Sequence, residues 1–134
     1  MSCLTLTVGL PRSGKSSWAR EQKTPIVNPD SIRLALHGKA FIKEREDEVW
    51  AIAYLMTRAL LLAGHMEIII DATSVTQRSR DAWAKEFPEC IIKLMWFDTS
   101  KEECIKRARG GKRAYLIPVI ERMASQWEDP RKEK

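Results

Sequence analysis

Residues 9–17, GLPRSGKSS, are the segment whose residue types and spacing indicate chemistry most directly. They fit the pattern G-x-x-x-x-G-K-[ST] without a mismatch. The glycines of this pattern let successive backbone N–H groups point at phosphate oxygens, and a following helix adds its positive end. Lys15 is predicted to reach the β- and γ-phosphates, and the Ser16 hydroxyl to ligate Mg²⁺. The predicted nucleotide-binding residues are Gly9, Leu10, Pro11, Arg12, Ser13, Gly14, Lys15, Ser16 and Ser17.

Asp30 and Arg33, in the segment NPDSIR, form a second candidate pair. A GTPase switch and a motor ATPase are disfavoured because the chain has no N-K-x-D sequence and is short for a motor. A kinase needs a carboxylate that accepts the proton of the acceptor hydroxyl. Asp30 could take that proton, and Arg33, one helical turn later, could hold an anion on the acceptor. The alternative is an Asp that caps a helix and an Arg on the solvent side.

Asp71 follows the apolar segment EIII, as an acidic residue near a phosphate loop often does. It could assist Mg²⁺ through a water molecule, or it could orient Arg33 or the acceptor hydroxyl. The alternative is a turn residue at the end of a strand.

A cluster of cations surrounds a pair of glycines between residues 106 and 113. An arginine delivered by a closing lid would neutralise the charge that develops on a transferring phosphoryl group. Arg109 and Arg113 are the candidates, and the spacing does not decide between them. The alternative is an exposed basic loop without a catalytic role.

Elements that alternate along the chain position these residues. Short apolar segments predict strands at 3–8, 25–28, 67–70 and 90–97. Helices are predicted at 14–22, 30–36, 44–63, 76–86, 100–108 and from residue 118 onward. The alternation predicts an α/β fold in which helices flank both faces of a small parallel sheet of about four strands. Ligands bind beyond the carboxyl ends of such strands, so residues 9–16, Asp30 and Asp71 are expected to converge there.

The length of 134 residues suits one hydrophobic core. We predict a single domain over residues 1–128, with a basic lid near 107–116 and a tail at 129–134 that frays. The net charge of +5 favours an anionic partner. The three cysteines form no CxxC pair, and neither a membrane span nor a secretory signal is evident, so we expect a cytoplasmic protein.

The chain resembles the polynucleotide 5′-kinase module of phage-type polynucleotide kinase-phosphatases, within the broader group of P-loop kinases. The likeness covers most of the chain and rests on LTVGLPRSGKSSWAR, NPDSIR, IIIDATSVTQRSRDAW and CIKRARGGKRAYLIPVIERM. An Asp-x-x-Arg after the second strand, followed by an Asp after the third, is more specific than the phosphate loop alone. The D-x-D-G-T motif of the phosphatase half does not occur, so the likeness is to the kinase half.

The resemblance implies a three-layer P-loop kinase fold and transfer of the γ-phosphate of ATP to a 5′-hydroxyl. It implies that Asp30 is the general base, that Arg33 contacts a phosphate of the acceptor and that Asp71 helps organise the acceptor site. The resemblance implies two candidates for the lid arginine. Alignment on the R-G pair gives Arg109, whereas counting back from Pro118 gives a position nearer Arg113.

These residues are compatible with more than one function. The leading hypothesis is an ATP- and Mg²⁺-dependent kinase that acts on the 5′-hydroxyl of a nucleic acid or oligonucleotide. The segment between residues 38 and 67, where acceptor-binding helices lie in the family, is short, so a small-molecule kinase acting on a nucleoside, sugar acid or antibiotic is the alternative. A non-catalytic nucleotide-binding module is a further possibility. The oligomeric state is not predicted.

Overall fold

A sheet of four parallel strands forms the centre of the protein in the computed structural model, which describes residues 1–132. The strands are β1 (Cys3–Val8), β2 (Ile26–Val27), β3 (Glu67–Ile70) and β4 (Ile91–Trp96). Their order is β2-β3-β1-β4, so β1 is an inner strand. Because all the pairings are parallel, the residues that follow β1, β2 and β3 emerge at the same edge of the sheet.

Six helices accompany the sheet within residues 1–132. They are α1 (Lys15–Glu21), α2 (Pro29–His37), α3 (Glu46–Leu62), α4 (Gln77–Glu86), α5 (Lys101–Gly110) and α6 (Ile117–Gln126). Short 3₁₀ turns lie at Lys43–Arg45, Ala114–Leu116 and Pro130–Lys132. The predicted alternation of strands and helices, and the parallel sheet of four strands, are confirmed.

Two apolar clusters hold the helices in place. In the first, Leu4 and Leu6 of β1 point to the same side of the sheet and pack with residues of α2, α3 and α4. The ring of Trp83 on α4 stacks on Phe87, with ring centroids 5.9 Å apart. The second cluster joins the loop after β1 to α5 and α6, and its buried members are Leu10, Val75, Cys104, Ala108 and Ile120. The loop after β1 therefore has its own hydrophobic anchor.

The inner face of α3 differs from the prediction. The 3.6-residue period of residues 44–63 predicts an inner face of Val49, Ile52, Ala53, Met56, Leu60 and Ala63. Of these, Met56 is 39% exposed and Ala63 is exposed. Val49 and Ala53 are buried as predicted, and Thr57 completes the buried stripe. Thr57 is accommodated there because its hydroxyl donates a hydrogen bond to the Ala53 carbonyl at 2.8 Å.

The segments near the C-terminus are more regular than expected. α5 continues two residues beyond its predicted end, and a 3₁₀ turn lies within the predicted basic lid. The Glu128 amide donates to the Val75 carbonyl at 2.8 Å, and the Arg131 guanidinium lies 4.0 Å from the centre of the Trp96 ring. These contacts hold the start of the tail against the body of the protein. The tail predicted to fray comprises residues 129–134, of which 133–134 lie outside the described residues.

Candidate active site

The phosphate loop between β1 and α1 depends on two glycines. A Cβ atom on Gly9 would come within 2.6 Å of the Ser13 hydroxyl oxygen and 3.0 Å of Phe97 Cβ, so the loop leaves no room for a side chain there. Gly14 has a φ of 103°, in the left-handed region that glycine adopts without strain, and it directly precedes α1. The loop therefore has the close approach and the strand–loop–helix context that its sequence motif requires.

Lys15 is buried inside this loop. Its Nζ donates a hydrogen bond to the Leu10 carbonyl at 2.7 Å and lies 3.5 Å from the Ser13 hydroxyl. Desolvation lowers the pKa of the ammonium group to about 8, although the negative charges of Asp71 and Asp30 act in the opposite direction. A phosphate anion beside Nζ would add a further negative charge and would favour the protonated form.

Ser16, Asp71 and Asn28 meet at the carboxyl edge of the sheet. The Ser16 hydroxyl donates to Asp71 Oδ2 at 2.7 Å, and the Asn28 amide donates to the same oxygen at 3.0 Å. Asp71 is buried, and its backbone N–H donates to the Val27 carbonyl at 2.9 Å. The structure thus brings together the predicted residues Ser16 and Asp71, and it adds Asn28, which the sequence analysis did not select.

Thr7 is a second residue that the sequence analysis missed. Its side chain is buried in β1, where the hydroxyl donates to the Ala72 carbonyl at 2.7 Å and accepts from the Ala72 N–H at 3.0 Å. These two bonds hold the backbone directly after Asp71. The sequence carries a signal for this role, because Thr7 alternates with buried leucines in an inner strand. A buried hydroxyl needs a hydrogen-bond partner.

Asp30 and Arg33 lie together at the start of α2. Arg33 Nη1 donates to Asp30 Oδ1 at 2.7 Å, and the Asp30 side chain is 81% exposed. Asp30 does not cap the helix, because the Asn28 side chain accepts from the Ser31 N–H at 3.1 Å and occupies the cap position. The cap interpretation of Asp30 is therefore wrong, and its carboxylate is available for another role.

Arg33 is not on the solvent side of its helix. Its Nε and Nη2 donate to the two carboxylate oxygens of Glu46 on α3, at 2.9 and 2.7 Å, and its side chain is 14% exposed. Burial lowers the pKa of Arg33, but the hydrogen bonds and charge of Glu46, together with Asp30, outweigh burial and raise it. The guanidinium is consequently a permanent cation between two carboxylates.

The candidate lid arginines lie on the surface. Arg109 and Arg113 are exposed, and within residues 1–132 their side chains make no hydrogen bond or ion pair. Arg107 links this segment to the phosphate loop, since its Nη1 donates to the Arg12 carbonyl at 3.2 Å. Arg107 therefore joins the C-terminal part of α5 to the phosphate loop, whereas the candidates Arg109 and Arg113 are both exposed.

A groove of about 610 Å³ adjoins the Ser16–Asp71 contact. Ser16, Asn28 and Asp71 contribute polar atoms to its lining, and Ile32 and Met56 are among its apolar residues. Its volume falls within the range of small-molecule sites. Asp30 and Arg33 do not line it, so the carboxylates of Asp30 and Asp71 border different parts of the site.

Comparisons with known proteins agree with this geometry. The fold is that of a P-loop kinase-like domain. The chain belongs to the AAA_33 family, described as an AAA domain, whose family model matches residues 4–129. The predicted resemblance to a polynucleotide 5′-kinase module is confirmed, since the similar solved structures include chains of the Pnkp1/Rnl/Hen1 complex.

Two similar structures contain the Pnkp1/Rnl/Hen1 complex. The first has a TM-score of 0.71 at 31% identity over 79% of this chain and 38% of that chain. The second, of the Pnkp1/Rnl/Hen1 RNA repair complex, has a TM-score of 0.71 at 25% identity over 99% of this chain and 49% of that chain. The protein thus spans less than half the length of either matched chain.

A small-molecule kinase has the same fold. The APS kinase CysC of Mycobacterium tuberculosis, in complex with AMPPNP and APS, matches with a TM-score of 0.68 at 21% identity over 98% of this chain and 84% of that chain. At this identity the similarity establishes the fold alone. Within residues 1–132, no helix is both long enough and apolar enough to cross a membrane.

Proposed function

We propose that the protein is a kinase that transfers the γ-phosphate of ATP to the 5′-hydroxyl of a nucleic acid or oligonucleotide, with Mg²⁺ as cofactor. The observation that carries the proposal is the exposed Asp30 carboxylate, which Arg33 holds at 2.7 Å at the start of α2. Its negative charge opposes the lowering of the Lys15 pKa by burial, which supports a place for Asp30 near the phosphate loop. The similarity to chains of the Pnkp1/Rnl/Hen1 complex, one of them described as an RNA repair complex, supports a nucleic-acid acceptor.

The phosphate loop would hold the donor. Backbone N–H groups of residues 9–14 and the Lys15 ammonium would contact the phosphate oxygens. The Ser16 hydroxyl and the Asp71 carboxylate, 2.7 Å apart, are hard oxygen donors of the kind that Mg²⁺ prefers, and this pair fits the ion. Bound Mg²⁺ would neutralise charge on the β- and γ-phosphates.

Asp30 would act on the acceptor. As the acceptor oxygen forms its bond to the γ-phosphorus, the bond to the leaving oxygen of ADP breaks and Asp30 accepts the hydroxyl proton. Arg109 or Arg113 would close over the transferring group and offset its charge. We further propose one domain over residues 1–128, a mobile lid near 107–116 and a location in the cytoplasm, which suits three free cysteines.

Incubation with ATP labelled at the γ-phosphate tests the proposal. Single-stranded DNA and RNA with a 5′-hydroxyl should become labelled, whereas the same strands with a 5′-phosphate should not. Nucleotide binding without transfer to either 5′-hydroxyl strand would refute a nucleic-acid acceptor.

A small-molecule acceptor is the second candidate, and the state of Arg33 favours it. Arg33 is already paired with both Glu46 and Asp30, so the three groups together carry a net negative charge. An acceptor phosphate would have to compete with these carboxylates. Competition between a 5′-hydroxyl dinucleotide and uncharged nucleosides separates the candidates, because only a small-molecule kinase would prefer the nucleoside.

A further inference from the structure

Glu46 forms a bidentate ion pair with Arg33. Neither the sequence motifs nor the resemblance assigns Glu46 a role. Its carboxylate accepts from Arg33 Nε at 2.9 Å and from Nη2 at 2.7 Å. The two side chains are only 14% and 17% exposed. Two hydrogen bonds on one edge fix the plane of a guanidinium, and the Trp50 ring, with its centre 5.9 Å from the guanidinium carbon, limits rotation further.

The part of Arg33 that Glu46 leaves unoccupied contacts Asp30. Nη1 donates to Asp30 Oδ1, and this is the only hydrogen bond that the Asp30 carboxylate makes with the part of the chain that the structure describes. Oδ2 of Asp30 is therefore left for an acceptor hydroxyl. If Glu46 did not occupy Nε and Nη2, these donors could turn toward Asp30 and engage both of its oxygens.

We infer that Glu46 is a positioning residue that holds Arg33 so that Arg33 orients Asp30 without capturing both carboxylate oxygens. The inference rests on the proposed function, because it takes Asp30 as the group that accepts the hydroxyl proton. Glu46 itself exchanges no proton. Its effect reaches the reaction through Arg33 alone.

The substitution Glu46→Gln tests this inference, since it keeps the size of the side chain but leaves only one acceptor oxygen and no charge. The kcat for phosphoryl transfer to a 5′-hydroxyl oligonucleotide should fall about tenfold, while the KM for ATP stays unchanged. Glu48→Gln is the matched control, because Glu48 lies on the same helix and pairs with Arg45 at the surface. It should keep the kcat of the unmodified protein.

A double-mutant cycle separates positioning from a general loss of structure. Because Glu46 acts through Arg33, adding Glu46→Gln to Arg33→Gln should change kcat less than about twofold. An undiminished kcat in Glu46→Gln would overturn the inference. Full additivity of the two substitutions would overturn it as well, since it would show that Glu46 acts independently of Arg33.

A measurement made without a phosphate acceptor can test the role of Glu46 separately from the proposed kinase activity. The Arg33 Nε–H resonance, followed by NMR, should exchange slowly with water in the unmodified protein and in Glu48→Gln, and fast in Glu46→Gln. If the protein transfers no phosphate while this difference is observed, the proposed function fails and the hold of Glu46 on Arg33 stands. If exchange is equally slow in Glu46→Gln, the positioning role fails.

Discussion

The burial of Lys15 in the phosphate loop should lower the stability of the unliganded protein. Desolvation brings the pKa of this lysine to about 8 in the folded protein, against an ordinary value of 10.5 that applies to the unfolded chain. At 1.36 kcal/mol for each pKa unit, the protonated lysine lowers the free energy of unfolding by about 3 kcal/mol at pH 7.

The sign of the pH dependence follows from the two pKa values. Below pH 8 Lys15 is protonated in both the folded and the unfolded state, and the folded state carries the full desolvation cost of the buried ammonium. Between pH 8 and 10.5 the folded state has released the proton while the unfolded state retains it, so stability rises with pH. Above pH 10.5 the lysine is neutral in both states, and the cost is absent.

The substitution Lys15→Met removes the charge and nearly preserves the length of the side chain. It also loses the hydrogen bond to the Leu10 carbonyl, which is worth about 1 kcal/mol. The variant should therefore be about 2 kcal/mol more stable than the unmodified protein at pH 7. It should bind ATP more weakly, because the ammonium group that would contact the phosphates is absent.

Urea unfolding at pH 7, 8, 9 and 10 measures this effect. The difference in stability between the variant and the unmodified protein should shrink as the pH rises, and groups that titrate in both proteins cancel from it. Lys101→Met is the control, since Lys101 is exposed, and it should change the free energy of unfolding by less than about 0.5 kcal/mol. A Lys15→Met variant that is less stable at pH 7, or a difference independent of pH, would refute the reasoning.

Three further substitutions test the site and the core. Asp30→Asn should reduce kcat by about 10²- to 10⁴-fold and spare ATP binding. The control Asp81→Asn, at an exposed position on α4, should have the kinetics of the unmodified protein. Equal kinetics for the two variants would count against Asp30 as the base. Gly9→Ala should cost about 1–3 kcal/mol in thermal unfolding, because its Cβ would meet Ser13 at 2.6 Å, and Gly110→Ala, with open space around it, should cost far less. Trp83→Ala should cost about 3–5 kcal/mol in urea unfolding; a loss below about 1 kcal/mol would contradict its place in the core.

The sheet and the phosphate loop were predictable because their signals are local. Buried β-branched segments define the strands, and parallel strands bring their carboxyl ends to one edge, which is why Ser16 and Asp71 were expected to meet. The spacing of Gly9 and Gly14 predicted the phosphate loop after β1. These predictions needed only short segments and the general rule for α/β sheets.

The acceptor side was less predictable because it depends on packing between helices. Glu46 is one of several acidic residues at the start of α3, and only the placement of α3 against α2 selects it as the partner of Arg33. The helix cap was ambiguous for a similar reason. Asn28 and Asp30 both accept hydrogen bonds well, and the extended backbone at Asn28 makes it the cap.

The two edges of the sheet differ in how readily they could pair with another chain. β2 ends the sheet with only two residues, which offer little backbone for a further strand. β4 has six residues, and within residues 1–132 it pairs only with β1. Ile91 and Leu94 are partly exposed along it, and Lys93 places a charge between them. Lys93 is the one charged residue within β4, and a charge on an edge strand opposes the addition of a further strand.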